Sequence, residues 1–177
     1  MHFDYLCFME TADAAMVSLL LGSNKGNRSL QLEQAISALE SEAGEIVCRS
    51  AIYETAAWGK EDQPAFLNMV VLVKTTLEPQ PLLATILSIE ETMGRTRQEK
   101  WAERTIDIDI LLYGDAVLSE TNLEIPHPHL PSRRFALIPL CEIRPNAIHP
   151  ISGQTIAELL DSCNDPLPVR IFNTLNE

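Results

Sequence analysis

The sequence predicts an α+β domain with a ferredoxin-like βαββαβ core, a mainly antiparallel sheet with helices packed on one face of it. Three observations carry this expectation. Apolar runs and helical repeats follow one another in the order strand, helix, strand, strand, helix, strand. Each of the two long helical repeats closes on a glycine. The last strand alternates isoleucine with aspartate at a two-residue period. No internal repeat or linker divides the 177 residues, which fit one domain able to bury roughly 70% of the surface its unfolded chain exposes.

The first strand is expected at residues 17–21, a short continuous apolar run ended by Gly22-Ser23-Asn24. From 28 to 43, Leu32, Ala35, Ile36, Leu39 and Ala43 recur at helical spacing, and Gly44 is positioned to stop the helix. Residues 46–55 and 66–76 are β-rich. The stretch between them, 56–64, is longer than a tight hairpin needs, which marks it as a candidate functional loop. Pro79 and Pro81 suit a helix start, and Leu82, Leu83, Ile86, Leu87, Ile89 and Met93 line a helix that Gly94 ends. In 105–113, Ile106, Ile108 and Ile110 alternate with Asp107 and Asp109, so this strand should carry one apolar and one acidic face. Short runs follow at 116–118 and 123–125. Pro126, Pro128 and Pro131 keep His127 and His129 on a loop. Residues 135–140 are apolar, and Thr155 with Glu158 has capping-box spacing before a last helix, Ile156–Ser162.

Composition narrows the class of function. With 46% hydrophobic residues, the chain has no apolar run approaching the ~18 residues of a membrane span. Residues 1–15 hold Asp4, Glu10 and Asp13 but no Lys or Arg, so the basic start of a secretory signal is missing. Met16 stands directly before the first apolar run. Residues 1–15 are therefore expected to be a disordered leader and 16–177 the single folded domain. Cys7, Cys48, Cys141 and Cys163 lie far apart with no C-x-x-C pair, a pattern of reduced cytoplasmic thiols. The net charge of -12 argues against a nucleic-acid partner, and a monomer is expected. Yet six of the thirteen cations sit in two short stretches: Arg95, Arg97, Lys100 and Arg104, then Arg133 and Arg134.

The strongest local signal is Asp107-Ile108-Asp109. Residues two apart on a strand project from one face with Cα atoms about 7 Å apart. Two such carboxylates can hold two magnesium ions about 3.5 to 4 Å apart, the arrangement that clamps attacking and leaving oxygens in phosphoryl chemistry. The alternative is an exposed face of an edge strand, but adjacent like charges are unfavourable without a counter-charge or metal. The nearby arginines suit the polyanionic phosphates of ATP, since planar guanidinium forks bind phosphate oxygens bidentately. No G-x-x-x-x-G-K-[ST] loop is present, so arginines, histidines and metal would have to hold the nucleotide.

The run Lys100-Trp101-Ala102-Glu103-Arg104-Thr105-Ile106-Asp107-Ile108-Asp109-Ile110-Leu111 closely resembles the signature of the 6-hydroxymethyl-7,8-dihydropterin pyrophosphokinases. Three further blocks agree in order. They are Leu21-Gly22-Ser23-Asn24; Gln63-Pro64-Ala65-Phe66-Leu67-Asn68 with Ile89-Glu90 and Gly94-Arg95-Thr96-Arg97; and Ile125-Pro126-His127-Pro128 leading into Arg133-Arg134-Phe135. The resemblance spans residues 16 to about 160. It implies transfer of pyrophosphate from ATP to the hydroxymethyl group of the pterin, giving AMP and the pterin diphosphate in folate biosynthesis. On this likeness Asp107 and Asp109 would ligate two Mg2+ ions, with Arg95 and Arg97 as catalytic groups of a mobile loop. Glu90, Arg95, Arg97, Arg104, Ile110, His127 and Arg133 would contact ATP. The pterin would stack between Phe66 and Phe135, hydrogen-bond Asn68 and Thr55, and be covered by Trp101.

Each assignment has a plainer counterpart: Phe66, Phe135 and Trp101 could be core aromatics, and Asn68 could satisfy a neighbouring backbone group. The chain departs from the family pattern at Ala56, Ala57 and Trp58, at Phe66 in place of a frequent tyrosine, and at Asn122 and Glu124. Two other functions stay open at this level. One is a nucleotidyl or sugar-nucleotide transferase using the same acidic pair. The other is a ferredoxin-like module that binds a small molecule without turnover.

Overall fold

The structure is a computed structural model, and it describes residues 13–56, 64–95 and 104–173. In chain order the elements are β1 (Ala15–Ser23), α1 (Arg28–Glu42), β2 (Glu45–Arg49), β3 (Tyr53–Thr55), β4 (Phe66–Thr75), α2 (Pro79–Thr92), β5 (Asp107–Tyr113), β6 (Leu118–Ser119) and β7 (Glu124–Ile125). A 3-10 turn (Leu130–Ser132), α3 (Arg134–Ile143), α4 (Ile156–Ser162) and β8 (Val169–Ile171) complete them. The main sheet runs β5-β1-β4-β3-β8, with β2 pairing β4 beside β3, and every pairing in it is antiparallel. The βαββαβ order expected from periodicity is present once β2 and β3, into which the expected 46–55 segment divides, are taken as one broken strand along β4; a small β6-β7 hairpin and the unforeseen edge strand β8 elaborate it. β1 already includes Ala15, while residues 1–12 of the expected leader lie outside the described residues.

Local signals explain the element ends. The Asn27 side chain caps α1 by accepting from the Leu30 N–H at 3.1 Å. Gly44 follows α1 at φ +148°, and a Cβ there would collide with the Lys74 carbonyl oxygen, so this close approach of the chain to β4 admits only glycine. The Thr155–Glu158 capping box forms at the start of α4 as the spacing predicts.

One expectation is corrected. Helices cover both faces of the sheet rather than one. Val17, Leu19, Leu21, Met69 and Val71 meet the buried residues of α1 and α2, while Leu20, Val70, Leu111 and Leu112 meet those of α3 and α4. The reason is visible in β1 and β4, whose continuous apolar runs put hydrophobic side chains on both faces, and both must be covered. β5 likewise is not acidic along a whole face. A register shift leaves Leu111 as an extra residue between the Leu19–Ile110 and Ser18–Leu112 pairs, and both leucines enter the second core. Only the first two positions of that face are aspartates. The apolar stretch 135–140 lies in α3, a helix that accommodates the buried Pro139.

Candidate active site

Strand register gathers the chemistry-bearing residues at one end of the sheet. Asp107 pairs with Gly22, Gly22 with Asn68, and Asn68 with Tyr53, forming one transverse row. Directly opposed residues share a face. The face is the one that carries Leu20 and Val70, so the row looks toward the α3 side. Asp109 lies one row deeper, opposite Leu20, and Thr55 pairs with Phe66 at the rim. The alternation read from sequence thus brings Asp107 and Asp109 to a single face, with Ile106, Ile108 and Ile110 buried on the other.

Asp107 is held by cations. Its Oδ1 stands 2.6 Å from an Arg95 guanidinium nitrogen, and its Oδ2 pairs with Arg104. Arg95 also pairs with Glu90, whose Oε1 accepts the Ile108 N–H at 2.8 Å. Glu90 is 2% exposed, and burial above all pushes its carboxyl above the ordinary range, against the opposing pull of the Ile108 N–H and Arg95. Its side chain is thus an internal support for the cluster. Asp109 has its pKa pushed up to about 7, first by burial and then by the neighbouring Asp107 charge; Arg133 and Arg104 act in the opposite direction. Among the described residues no cluster of three or more His, Cys, Asp or Glu side chains could hold a metal ion. A paired carboxylate set of this kind suits Mg2+, which binds one or two carboxylates and completes its shell with water and substrate phosphates.

The loop before α3 supplies further groups. The His127 N–H donates to the Leu111 carbonyl at 3.0 Å, which ties the loop to β5. His127 Nδ1 accepts the His129 backbone N–H at 3.1 Å, leaving the proton on Nε2. Its pKa falls to about 4 through burial, helped by the Arg133 and His129 charges, so the ring is neutral at physiological pH. The Arg133 guanidinium lies 5.7 Å from the Phe135 ring centroid, a cation–π distance.

A second, uncharged corner adjoins the row. Asn68 and Thr55 are 3% and 4% exposed, and Asn68 Nδ2 donates to Thr55 Oγ1 at 2.8 Å. Phe66 and Phe135 are half-buried, and Phe135 packs against the second core. Ile110 faces the first core, with its side chain packed away from the aspartate face. Arg97 and Trp101, along with Lys100, Ala57 and Trp58, lie outside the described residues.

The sequence places Gly22-Ser23-Asn24 as the turn that ends the first strand, but β1 runs on through Ser23 because Gly22 and Ser23 still pair with Asn68 and Leu67. The structure shows that Asn24 clamps Arg104 twice: its N–H donates to the Arg104 carbonyl at 3.1 Å, and its Oδ1 accepts the Arg104 N–H at 2.7 Å. That clamp fixes the backbone leading into Asp107. Asn24 Nδ2 and Ser23 Oγ are buried without a hydrogen-bond partner among the described residues.

Comparison with known proteins adds an independent line. The family model described as 7,8-dihydro-6-hydroxymethylpterin-pyrophosphokinase matches residues 18–145. A 2-amino-4-hydroxy-6-hydroxymethyldihydropteridine pyrophosphokinase from Aquifex aeolicus is 49% identical over 144 residues, covering 81% of this chain and 89% of the relative. The Bacillus subtilis protein of the same name is 45% identical over 126 residues, 71% of this chain and 75% of its own. Among solved structures, a Plasmodium falciparum HPPK-DHPS chain matches with a TM-score of 0.72 at 21% identity. That match covers 86% of this chain and 44% of the other, and it bears on the fold alone.

Proposed function

This chain belongs to the 7,8-dihydro-6-hydroxymethylpterin-pyrophosphokinase family, and we propose that the cluster around Asp107 and Asp109 is where its reaction takes place. The enzyme transfers pyrophosphate from ATP to the hydroxymethyl group of 6-hydroxymethyl-7,8-dihydropterin, a step of folate biosynthesis. The hydroxymethyl oxygen attacks the β-phosphorus and loses its proton. The bond from that phosphorus to the oxygen bridging the α-phosphate breaks, AMP departs, and the pterin diphosphate forms.

The observation that carries the siting is the pair of carboxylates on one face, one set a row deeper than the other, ringed by Arg95, Arg104 and Arg133. An Asp109 carboxyl that burial and Asp107 hold near pH 7 calls for a cation to ionise it fully. Two magnesium ions bound here would supply Lewis acidity toward phosphate oxygens and charge neutralisation between the two aspartates. Arg95 and Arg104 pair with Asp107, and with a metal held by the aspartates the same forks would be available to phosphate oxygens. Arg97 would join them. His127, neutral with its proton on Nε2, offers a donor rather than a charge to the nucleotide. Arg133 and the backbone at Ile110 complete that side, and Glu90 acts through Arg95.

The pterin would lie between Phe66 and Phe135 with its polar edge on Asn68 and Thr55, covered by Trp101. The free thiols Cys48, Cys141 and Cys163 suit a cytoplasmic enzyme, which we take to act as a single-domain monomer. Incubation with ATP, Mg2+ and the hydroxymethyl-dihydropterin tests the reading. AMP should appear only when the pterin is present. Release of free pyrophosphate instead would point to nucleotidyl transfer and defeat it.

A further inference from the structure

Helix α3 begins at Arg134 without a cap of its own. Arg133, which precedes it, makes no side-chain capping bond, and the first turn holds no acidic residue. The first N–H groups of a helix have no intrahelical partners and must be met from elsewhere. Here the acceptor comes from 31 residues further along the chain, where Asp165 Oδ2 takes the Arg134 N–H at 3.0 Å. A carboxylate suits that position, because the exposed N–H groups and the helix dipole present positive charge. Asp165 Oδ1 accepts the Leu167 N–H at 3.0 Å, so the side chain also closes a turn on its own backbone and is anchored through both oxygens.

From Asp165 the chain leaves in a set direction. Asp165-Pro166-Leu167-Pro168-Val169 carries two prolines, each with φ locked at about −65°, and proline-rich segments act as stiff spacers. At the far end Val169 pairs with Thr55 and Ile171 with Tyr53, and the Phe172 N–H donates to the Ile52 carbonyl at 2.9 Å. Thr55 pairs on its other side with Phe66. One end of this short segment therefore holds the start of α3, where Phe135 is the second residue, and the other end holds the strand pair that carries Thr55 and Phe66. The segment lies beyond residues 18–145, which match the family model.

We propose that Asp165 is a positioning residue for the pterin site, and that the segment from Asp165 to Val169 is a stiff tie fixing the start of α3, and so Phe135, against Thr55 and Phe66. The inference rests on the reading above that Phe66 and Phe135 face the pterin. A flat ring is gripped well between two aromatic faces only at one separation, and here the two faces belong to different elements, β4 and α3. Without the Asp165 carboxylate the Arg134 N–H loses its acceptor and the first turn of α3 can fray. The Phe135 ring is then present but less well placed.

The dissociation constant of 6-hydroxymethyl-7,8-dihydropterin tests this, measured on the whole chain with Mg2+ and a saturating nonhydrolysable ATP analogue. Asp165→Ala should weaken pterin binding about fivefold. Asp165→Asn keeps an oxygen for the Arg134 N–H and should stay within about twofold of the unsubstituted protein. Thr155→Ala removes a comparable cap from α4 and should leave pterin binding unchanged, which separates positioning from a general loss of stability. In a Phe135→Ala background Asp165→Ala should add less than about twofold, because the ring it positions is gone. An Asp165→Ala protein that melts earlier yet binds pterin as before overturns the proposal. So does an equal loss with and without the Phe135 ring, or a loss in Asp165→Asn or Thr155→Ala as large as that in Asp165→Ala. If Asp165→Ala does not fold, Asp165→Glu decides, since its longer side chain keeps the charge but moves the acceptor: weakened pterin binding supports the proposal, and unchanged binding overturns it. Should Phe66→Ala and Phe135→Ala each bind pterin as the unsubstituted protein does, the siting of the pterin itself is wrong, an outcome separate from these.

Discussion

Asp107 and Asp109 share a face of β5, yet depth separates their chemistry. Asp107 is at the rim, with both oxygens paired to arginines, whereas Asp109 lies one row deeper and has its pKa raised to about 7. A carboxyl whose folded pKa lies above its unfolded value costs stability as pH rises: the penalty is absent below the unfolded pKa of about 3.9, grows from there, and is complete above about 7. Asp109→Asn removes the titration without removing the volume. With chelator present, its melting temperature should exceed that of the parent protein by a few degrees at pH 8 and by little at pH 4.5, as thermal scans at both values would reveal. Asp107→Ala should lower kcat by roughly 10³-fold or more while the far-ultraviolet spectrum stays native, since positioning of charge is the main catalytic device in such transfers. These acidic residues were legible in the sequence because a two-residue period on a strand leaves only one geometry for them. The arginines that pair with Asp107 were legible as a charged stretch, but their partners were not, because ion pairing depends on where loops return.

Elements position these residues through their ends. β1, β4 and β5 place Gly22, Asn68 and Asp107 in register, and Asn24 then holds the Arg104 backbone from both sides. Arg28, at the start of α1, does comparable work across the sheet. Its guanidinium donates to Glu54 at 2.9 Å and to the Ala65 carbonyl at 2.8 Å, and lies 5.6 Å from the Phe172 ring centroid. It therefore braces the strand ends beside Thr55 and Phe66. Far from the site, α4 depends on its capping box, in which Thr155 Oγ1 accepts the Glu158 N–H at 3.2 Å. Thr155→Ala should cost about 1 kcal/mol by chemical denaturation and leave kcat and KM unchanged, because the cap serves a short helix on the outer layer. Among these ends, the capping box and Gly44 were readable as local motifs. The Asn24 clamp was not, since its partner is 80 residues away in the chain.

For the whole molecule, two cores separated by one sheet give the site a rigid base, with the strand ends and loops as its working edge. A ligand that binds only this folded arrangement must stabilise it. A nonhydrolysable ATP analogue with Mg2+ at about 100 times its dissociation constant should add about 2.7 kcal/mol, and the rise in melting temperature should disappear with EDTA or in Asp107→Ala.

The order of the core elements, the acidic pair, the clustered cations and the family were legible in the sequence alone, because each depends on short-range periodicity or on a contiguous motif. Tertiary structure alone decided three other things: that helices cover both faces, that Leu111 and Leu112 take over the face begun by the aspartates, and that Gly22 stands between Asn68 and Asp107. Each depends on register between strands distant in the chain. A single-residue bulge there moves a side chain to the opposite face, and no local pattern records that shift.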